Sequence, residues 1–340
     1  MKLYRYILRR LLLIIPVLLG VSIIVFSLNQ ITGDPAAAYI SDKMTPLQIE
    51  LVKEKYHFND PPIVQYGYWL NGILQGDWGW SRTATMPVTD AIATFFPNTF
   101  QLALIALLIG VTIGITTGTR AAVRRNKSFD HVSRLLSLVG ISVPMFFFAL
   151  LLQYFFFSEL GILPSNGRVD NWFIIYGNIP NGPTGFLLAD SLIAGDIDLF
   201  LNAAQHLILP SIALSLGTMA MVLRMQRNSM LEVMGLDYIK TARAKGLPES
   251  VVIKKHARKN ALIPTTTVVG LSFGGLLAGA VITETIFAYP GLGLWATQSI
   301  SRADHTSVLG FCLLVAVIYV LVNLIVDVMY AYLDPRVRLG

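Results

Sequence analysis

Six stretches of the chain carry no Asp, Glu, Lys or Arg: Leu11–Gly33, Ala91–Thr119, Leu135–Ser158, Leu199–Leu223, Asn260–Thr283 and His305–Val326. Each is at least 22 residues long. About 20 apolar residues at a rise of ~1.5 Å cross the ~30 Å hydrocarbon layer of a bilayer, so every run is long enough to span it as a helix. Lipid offers the backbone no hydrogen-bond partner, which leaves helices or closed barrels as the spanning structures. None of the runs is a short segment of alternating apolar and polar positions, and a barrel is set aside. The pattern predicts an all-α membrane protein with six transmembrane helices.

A further uncharged stretch, Asn171–Ala189, has Asn178, Pro180, Asn181, Gly182, Pro183 and Gly185 at its centre. Such a segment cannot keep its backbone bonded in lipid, and it reads as an external loop with an interfacial stretch around Trp172-Phe173. The first apolar run follows four basic residues, as in a signal peptide, but it exceeds the usual ~7–15-residue core of one; an uncleaved first span is expected.

Charge orients the helices. With the N-terminus inside, 20 of the 26 Lys and Arg fall in the N-terminal segment, the segments 120–134 and 224–259, and the tail. Basic residues favour the cytoplasmic side, so both termini are expected there, in the cytoplasmic membrane, and the basic excess is assigned to orientation beside lipid rather than to nucleic acid. Only 14% of residues are charged, against 54% hydrophobic, which excludes an ordinary soluble domain. The single cysteine, Cys312, lies within the last run, so no disulfide framework exists within the chain. The expected organisation is residues 1–29 as N-terminal segment and first span, 30–98 as an external cap, and 99–340 as the core with spans two to six. Thr45–Tyr56 in the cap has helical patterning, with Leu47, Leu51 and Val52 on one face.

The longest cytoplasmic segment, 224–264, is the most informative. It contains Asp237-Tyr238-Ile239-Lys240-Thr241-Ala242-Arg243-Ala244-Lys245-Gly246-Leu247-Pro248. Gly246 followed by Pro248 is a helix stop. A second helix is expected from about Glu249, ending before Asn260, with Pro264 opening span five. Small residues at 241, 242 and 244 give the first helix a face able to seat in a groove of another protein. A loop that only enforces orientation needs the basic residues but not an ordered helix–Gly–helix, and docking is the preferred reading.

Here the chain resembles the permeases of ABC importers, in the dipeptide/oligopeptide/nickel group. Lys240-Thr241-Ala242 stands where the family's coupling loop has Glu-Ala-Ala, Gly246 is its glycine, and Leu262-Ile263-Pro264 ends it; the Lys and the long Gly-to-Pro spacing are features of that group. Gly33-Asp34-Pro35, Gly76-Asp77-Trp78-Gly79-Trp80-Ser81, Pro97-Asn98-Thr99, Asp190-Ser191-Leu192-Ile193-Ala194-Gly195-Asp196, the stretch from Glu284-Thr285 to Tyr289-Pro290-Gly291-Leu292-Gly293, and Leu333-Asp334-Pro335-Arg336 look like its other elements, in order. The stretch Ser301–Thr306 departs from the group's pattern. The resemblance implies a type I ABC importer permease fold and a non-enzymatic subunit that translocates peptides, with oligosaccharide and nickel as the group's other solutes. It further implies a second homologous permease, two ATPase subunits and an extracytoplasmic solute-binding protein as partners. Lys240, Thr241, Ala242, Arg243, Ala244, Lys245, Gly246, Leu247 and Pro264 are then the coupling-loop residues.

Other residues are weighed singly. Glu284 and Phe287, at the outer end of span five, and Asp327, near the inner end of span six, are candidates for the pathway or its gate; Glu284 equally reads as a marker of the interface, and for Asp327 a snorkelled structural acid is favoured. His206 reads as a satisfied interfacial residue rather than a metal ligand, and no metal or cofactor is assigned. Gly270, Gly274, Gly275 and Gly279 allow close helix approach, within the chain or against a partner. Pro16, Pro144 and Pro210 are candidate kinks. The chain has no Gly-x-x-x-x-Gly-Lys-Ser/Thr phosphate loop, so ATP chemistry falls to a partner. An ion-gradient-driven secondary transporter is the rival; it would call for charged pairs in mid-span and inverted repeats.

Overall fold

The computed structural model describes residues 3–32, 36, 40, 44–177, 179 and 182–333. The Gly33-Asp34-Pro35 and Asp334-Pro335-Arg336 motifs and Asn178 lie outside them.

The chain opens with α1 (Leu3–Thr32), a 30-residue helix that keeps Pro16 in its interior. Two short helices follow. α2 (Pro46–Lys55) starts at Thr45, whose hydroxyl accepts from the Gln48 amide while the Gln48 side chain accepts from the Thr45 amide, a reciprocal cap. Its Leu47 and Leu51 are exposed, so the apolar face read from the sequence is not packed on this chain. α3 (Pro62–Leu74) leads to a two-stranded antiparallel hairpin, β1 (Trp80–Ser81) and β2 (Met86–Pro87). Asp304 holds the hairpin down: its carboxylate accepts from Ser81 Oγ, the Thr83 amide and Ser307 Oγ.

The core is built on α4 (Val88–Val123) and, further on, α9 (Ile197–Met234), of 36 and 38 residues. At ~1.5 Å per residue both are longer than the hydrocarbon layer is thick, so their ends project from it. They lie close because α4 carries Gly110, Gly114 and Gly118 on one face. A Cβ at Gly114 would stand 2.8 Å from the Val222 side chain, and one at Gly118 would stand 2.6 Å from the Leu223 carbonyl. The sequence reading singled out the glycines of span five and passed over this row at i, i+4 and i+8.

The third uncharged run is not one straight span. α5 (Ser128–Ser142) and α6 (Met145–Gln153, continued by a π-helical turn Tyr154–Glu159) meet at 104°. Pro144 has no N–H to bond back into α5, and it forces Val143 out of helical geometry, to ψ 123°. Of the three candidate kinks, only this one is a break; Pro16 and Pro210 sit inside continuous helices. Between α6 and α9 lie the short helices α7 (Asn171–Ile175) and α8 (Leu187–Ile193). The described residues of the loop 171–189 hold no spanning helix, in keeping with its Gly, Pro and Asn content.

After α9 come α10 (Asp237–Ala244), α11 (Glu249–Val251), a π-helical turn Val252–Ala257, α12 (Arg258–Ile286), α13 (Leu292–Ser301) and α14 (His305–Leu333). Span five does not start at Pro264. The helix from Glu249 runs on into it, and Pro264 lies in the interior of α12. Membrane helices tolerate such a proline because neighbouring groups and local π-helical adjustment take up the freed backbone. Among the described residues five helices are long and apolar enough to cross a membrane, or six where the bent α5–α6 pair is counted as one broken span.

Candidate functional site

A bracket is built from α10, the Gly246 turn and α11. α10 ends in a hydrogen-bonded Schellman turn. The Gly246 amide donates to the Arg243 carbonyl at 2.9 Å and the Leu247 amide to the Ala242 carbonyl at 3.4 Å, with Gly246 left-handed at φ +77°. That conformation suits glycine because it has no Cβ to clash with its own backbone. Lys245 is the C-cap, and Pro248 prevents α10 from continuing.

The small face expected to point outward is divided. Ala242, with Ile239 one turn before it, is buried in a cluster with Ala122, Met230, Val252, Ala257 and Ala261. These two residues seat α10 on the ends of α4, α9 and α12. Thr241, Ala244, Lys245 and Gly246 are exposed, as are Lys240, Arg243 and Leu247. Any outside groove therefore meets the Thr241–Ala244–Lys245 side and the turn, not Ala242. Pro264 lies beyond, inside α12 and away from the turn.

Arg243 bridges the turn. Its Nη2 donates to Glu249 Oε1 at 2.7 Å and its Nε to Oε2 at 3.1 Å, a two-point bond joining α10 to α11. The carboxylate holds the guanidinium above its ordinary pKa. The pair is exposed, so it adds geometry more than energy. Asn260 donates to the Tyr238 hydroxyl at 2.8 Å, a second strut from α12 back to α10.

At the opposite end of α12, Glu284 is fully buried. Its Oε1 accepts from Thr99 Oγ1 at 2.6 Å, and its Oε2 from the amides of Gly293 and Leu294 at 2.7 and 3.1 Å. The carboxylate thus caps the N-terminus of α13, where unpaired amides and the helix dipole favour negative charge. A Cβ at Gly291 would stand 2.3 Å from Glu284 Oε1, and one at Gly293 would stand 2.4 Å from the Val281 Cα and 3.0 Å from Glu284 Oε2, so neither position has room for a side chain. Thr99 also accepts from the Leu292 amide, and Asn98 donates to the Pro290 carbonyl at 2.6 Å. Arg168 closes the junction with a 2.7 Å bond to Asn98 Oδ1. Burial pulls its guanidinium below the ordinary value, against the pull of the Asp190 carboxylate. Phe287 is packed with Leu102, Leu207, Leu277 and Tyr289. Glu284 and Phe287 therefore present no surface to a passing solute in this conformation; they lock α13 to α4 and α12. Asp327 lies on α14, but its side chain is outside the described residues.

His206 is buried and placed between the Gly167 carbonyl and Asp170 Oδ1, each at 3.2 Å, which accounts for it structurally. The sequence reading missed two polar joints. Arg227 makes a two-point bond to the fully buried Asp130, tying α9 to α5. Gln226, also fully buried, accepts from Thr265 at 2.8 Å and donates to Thr119 at 3.2 Å, joining α9, α12 and α4. No residue spacing announces such contacts between distant helices. Of the span-five glycines, Gly270 and Gly274 pack within the chain, against Val326 and Tyr319, whereas Gly275 has open space beside it.

Comparison with known proteins is direct. Residues 110–339 match the family described as binding-protein-dependent transport system inner membrane component, and residues 3–103 match the N-terminal region described for such components. The chain is 42% identical over 338 residues to a dipeptide transport system permease protein of Alkalihalophilus pseudofirmus, covering 98% of this chain and 99% of that one. It is 41% identical to a probable D,D-dipeptide transport system permease protein of Escherichia coli, covering 95% and 94%. To a glutathione transport system permease protein of Salmonella choleraesuis it is 34% identical, covering 98% of each. Among solved structures, an inward-facing MetNI methionine ABC transporter aligns with a TM-score of 0.51 at 16% identity, over 70% of this chain and 93% of that one, a likeness of fold. The chain belongs to the family of binding-protein-dependent transport system inner membrane components, as a multi-pass permease subunit.

Proposed function

We propose that the chain is the permease of an ATP-driven importer of small peptides. One observation carries the reading: relatives described as dipeptide, D,D-dipeptide, di/tripeptide and glutathione permeases match it at 34–42% identity over nearly its whole length. A second, similar permease completes the pathway, an extracytoplasmic binding protein delivers the peptide, and two ATPase subunits dock on the cytoplasmic side. The exposed Thr241–Ala244–Lys245 face and the Gly246 turn are the docking surface. The buried Ile239 and Ala242, the Schellman turn and the Arg243–Glu249 bond make that surface a rigid bracket. ATPase closure displaces the bracket, and the continuous helix from Glu249 carries the displacement into span five. The test is uptake in a strain lacking this gene, with di- and tripeptides, an oligosaccharide and nickel as separate substrates. Loss of peptide uptake, restored by the gene, is expected; normal peptide uptake beside lost sugar or nickel uptake overturns the reading.

A further inference from the structure

Beside the break between α5 and α6 lies a groove of about 480 Å³. Its walls come from Gly140, Val143 and Pro144 at the break, from Gly217 and Thr218 on α9, and from Gly275 on α12. Three observations about it are independent of one another.

The first concerns the backbone. The Val143 amide closes the last turn of α5 on the Val139 carbonyl at 2.8 Å. Pro144 brings no N–H, so the Gly140 carbonyl loses its helical donor. The Ile141 and Ser142 carbonyls lose theirs because α6 leaves at 104°. This break interrupts an uncharged run of membrane-spanning length, whether the bent pair is a broken span or a re-entrant loop. Irregular backbone at membrane depth persists only where protein covers it or where it lines a wet cavity. Gly140 is packed against α9, but Ile141 and Phe146, on either side of the break, are about half exposed, so this chain leaves the Ile141–Phe146 part of it uncovered.

The second concerns Thr218. It is 7% exposed, lines the groove, and its hydroxyl has no hydrogen-bond partner among the described residues. A helical threonine ordinarily bonds back to a carbonyl one turn earlier. The third concerns volume: Cβ atoms at Gly217 and Gly275 would meet nothing within 4 Å. Neither glycine is required for packing inside this chain, in contrast to those on α4.

We infer that this groove is a wall of the translocation pathway, wetted during transport, and that it recognises hydrogen-bond donors on the solute through the break carbonyls and Thr218. Peptide backbone amides have that chemistry. The break carbonyls can accept from each amide in turn without reading its side chain, which suits a permease that passes varied residues. Weak, successive bonds also let the solute leave. The inference rests on the peptide-importer reading for the identity of the solute, but not for the wetness of the groove.

The experiment uses the complete transporter in its native membrane, with Cys312→Ala as background. Thr218→Cys and Gly275→Cys are probed in inside-out vesicles with a charged methanethiosulfonate and with a lipid-soluble maleimide. Both cysteines are expected to react with the charged reagent. Reaction with the maleimide alone makes the face a lipid or packing surface and overturns the inference. In parallel, Gly275→Leu and Thr218→Val are expected to cut dipeptide uptake about tenfold and several-fold at normal abundance and normal ATPase association, with Thr218→Ser restoring most of it. Wild-type uptake in both overturns the inference as well. If the cysteines react with the charged reagent while the unmutated transporter moves no peptide, the wet wall stands and the peptide reading falls.

Discussion

Gly246→Val isolates the conformation of the bracket from its packing. A Cβ at Gly246 would meet nothing within 4 Å, so the substitution makes no clash with the rest of the chain. The cost is confined to the backbone at φ +77°. Holding an L-residue in left-handed geometry costs about 1–2 kcal/mol, and a β-branched one lies at the upper end. Leaving that geometry would instead break the Gly246 and Leu247 amide bonds to Arg243 and Ala242, at about 0.5–1.5 kcal/mol each. The two routes cost about the same, so the variant divides between a strained turn and an opened one. A difference of about 1–2 kcal/mol corresponds to roughly 5–30-fold in the population of the docking-competent form. The expected result is ATPase copurification and peptide uptake reduced by that factor, with membrane abundance unchanged, since the turn lies outside the spans. Gly246→Asn, which tolerates the left-handed region, is expected to lose less than Val. The measurement is a titration of tagged ATPase subunits onto solubilised permease, beside uptake normalised to abundance. Wild-type association and uptake for Gly246→Val refute the argument, because the turn geometry would then have no consequence for docking.

Ala242→Trp and Ala244→Trp are expected to fail differently. The first overfills the buried Ile239–Ala242 seat, at about 1–3 kcal/mol, and lowers abundance and thermal midpoint. The second leaves the fold intact and weakens ATPase copurification. Gly114→Leu drives α4 off Val222, so little folded protein should be recovered on size-exclusion chromatography, whereas Gly275→Leu should elute normally. Glu284→Ala strips the acceptor from Thr99 and the Gly293 and Leu294 amides. Buried donors left without an acceptor cost about 1–3 kcal/mol, read as a fall in the melting temperature of purified permease, with Glu284→Gln retaining part of the loss.

Much of this was legible in the residues. The six uncharged runs fall on the five membrane-length helices and the bent α5–α6 pair, and Gly246 with Pro248 marks the bracket turn, because each is a local rule of length or backbone geometry. Some signals were present and passed over. Ile239 and Ala242, three apart, are the apolar stripe of an otherwise polar helix, and they identify its buried side. Glycines at 110, 114 and 118 mark the closest helix approach as plainly as those of span five. Other features follow no local rule. A proline in a span is compatible with a smooth helix, as at Pro210, or with a 104° break, as at Pro144. The difference lies in what neighbouring helices supply. Arg243–Glu249 joins residues six apart across a turn, a spacing that belongs to no periodic pattern. Glu284 looked like a pathway acid because an ionisable residue near a span is presumed functional. Its partners, Thr99 and the α13 amides, become visible only once the chain has folded back.

The distribution of these joints bears on how a movement at the bracket travels. α4 and α9 meet through glycines with no room between them, so they move as one body. α12 is fixed to that body at two polar points, Thr265 with Gln226 and the Glu284–Thr99–Asn98 junction. Between those points its Gly275 side faces open space. Below them the helix carries Pro264 and the π-helical turn 252–257; at both places the regular i to i−4 ladder is interrupted and bending is least costly. On the proposed docking of α10, a displacement of it bends α12 most readily below Thr265, and it has to work against the Ile239–Ala242 seat that also packs on Ala122 of α4 and Met230 of α9.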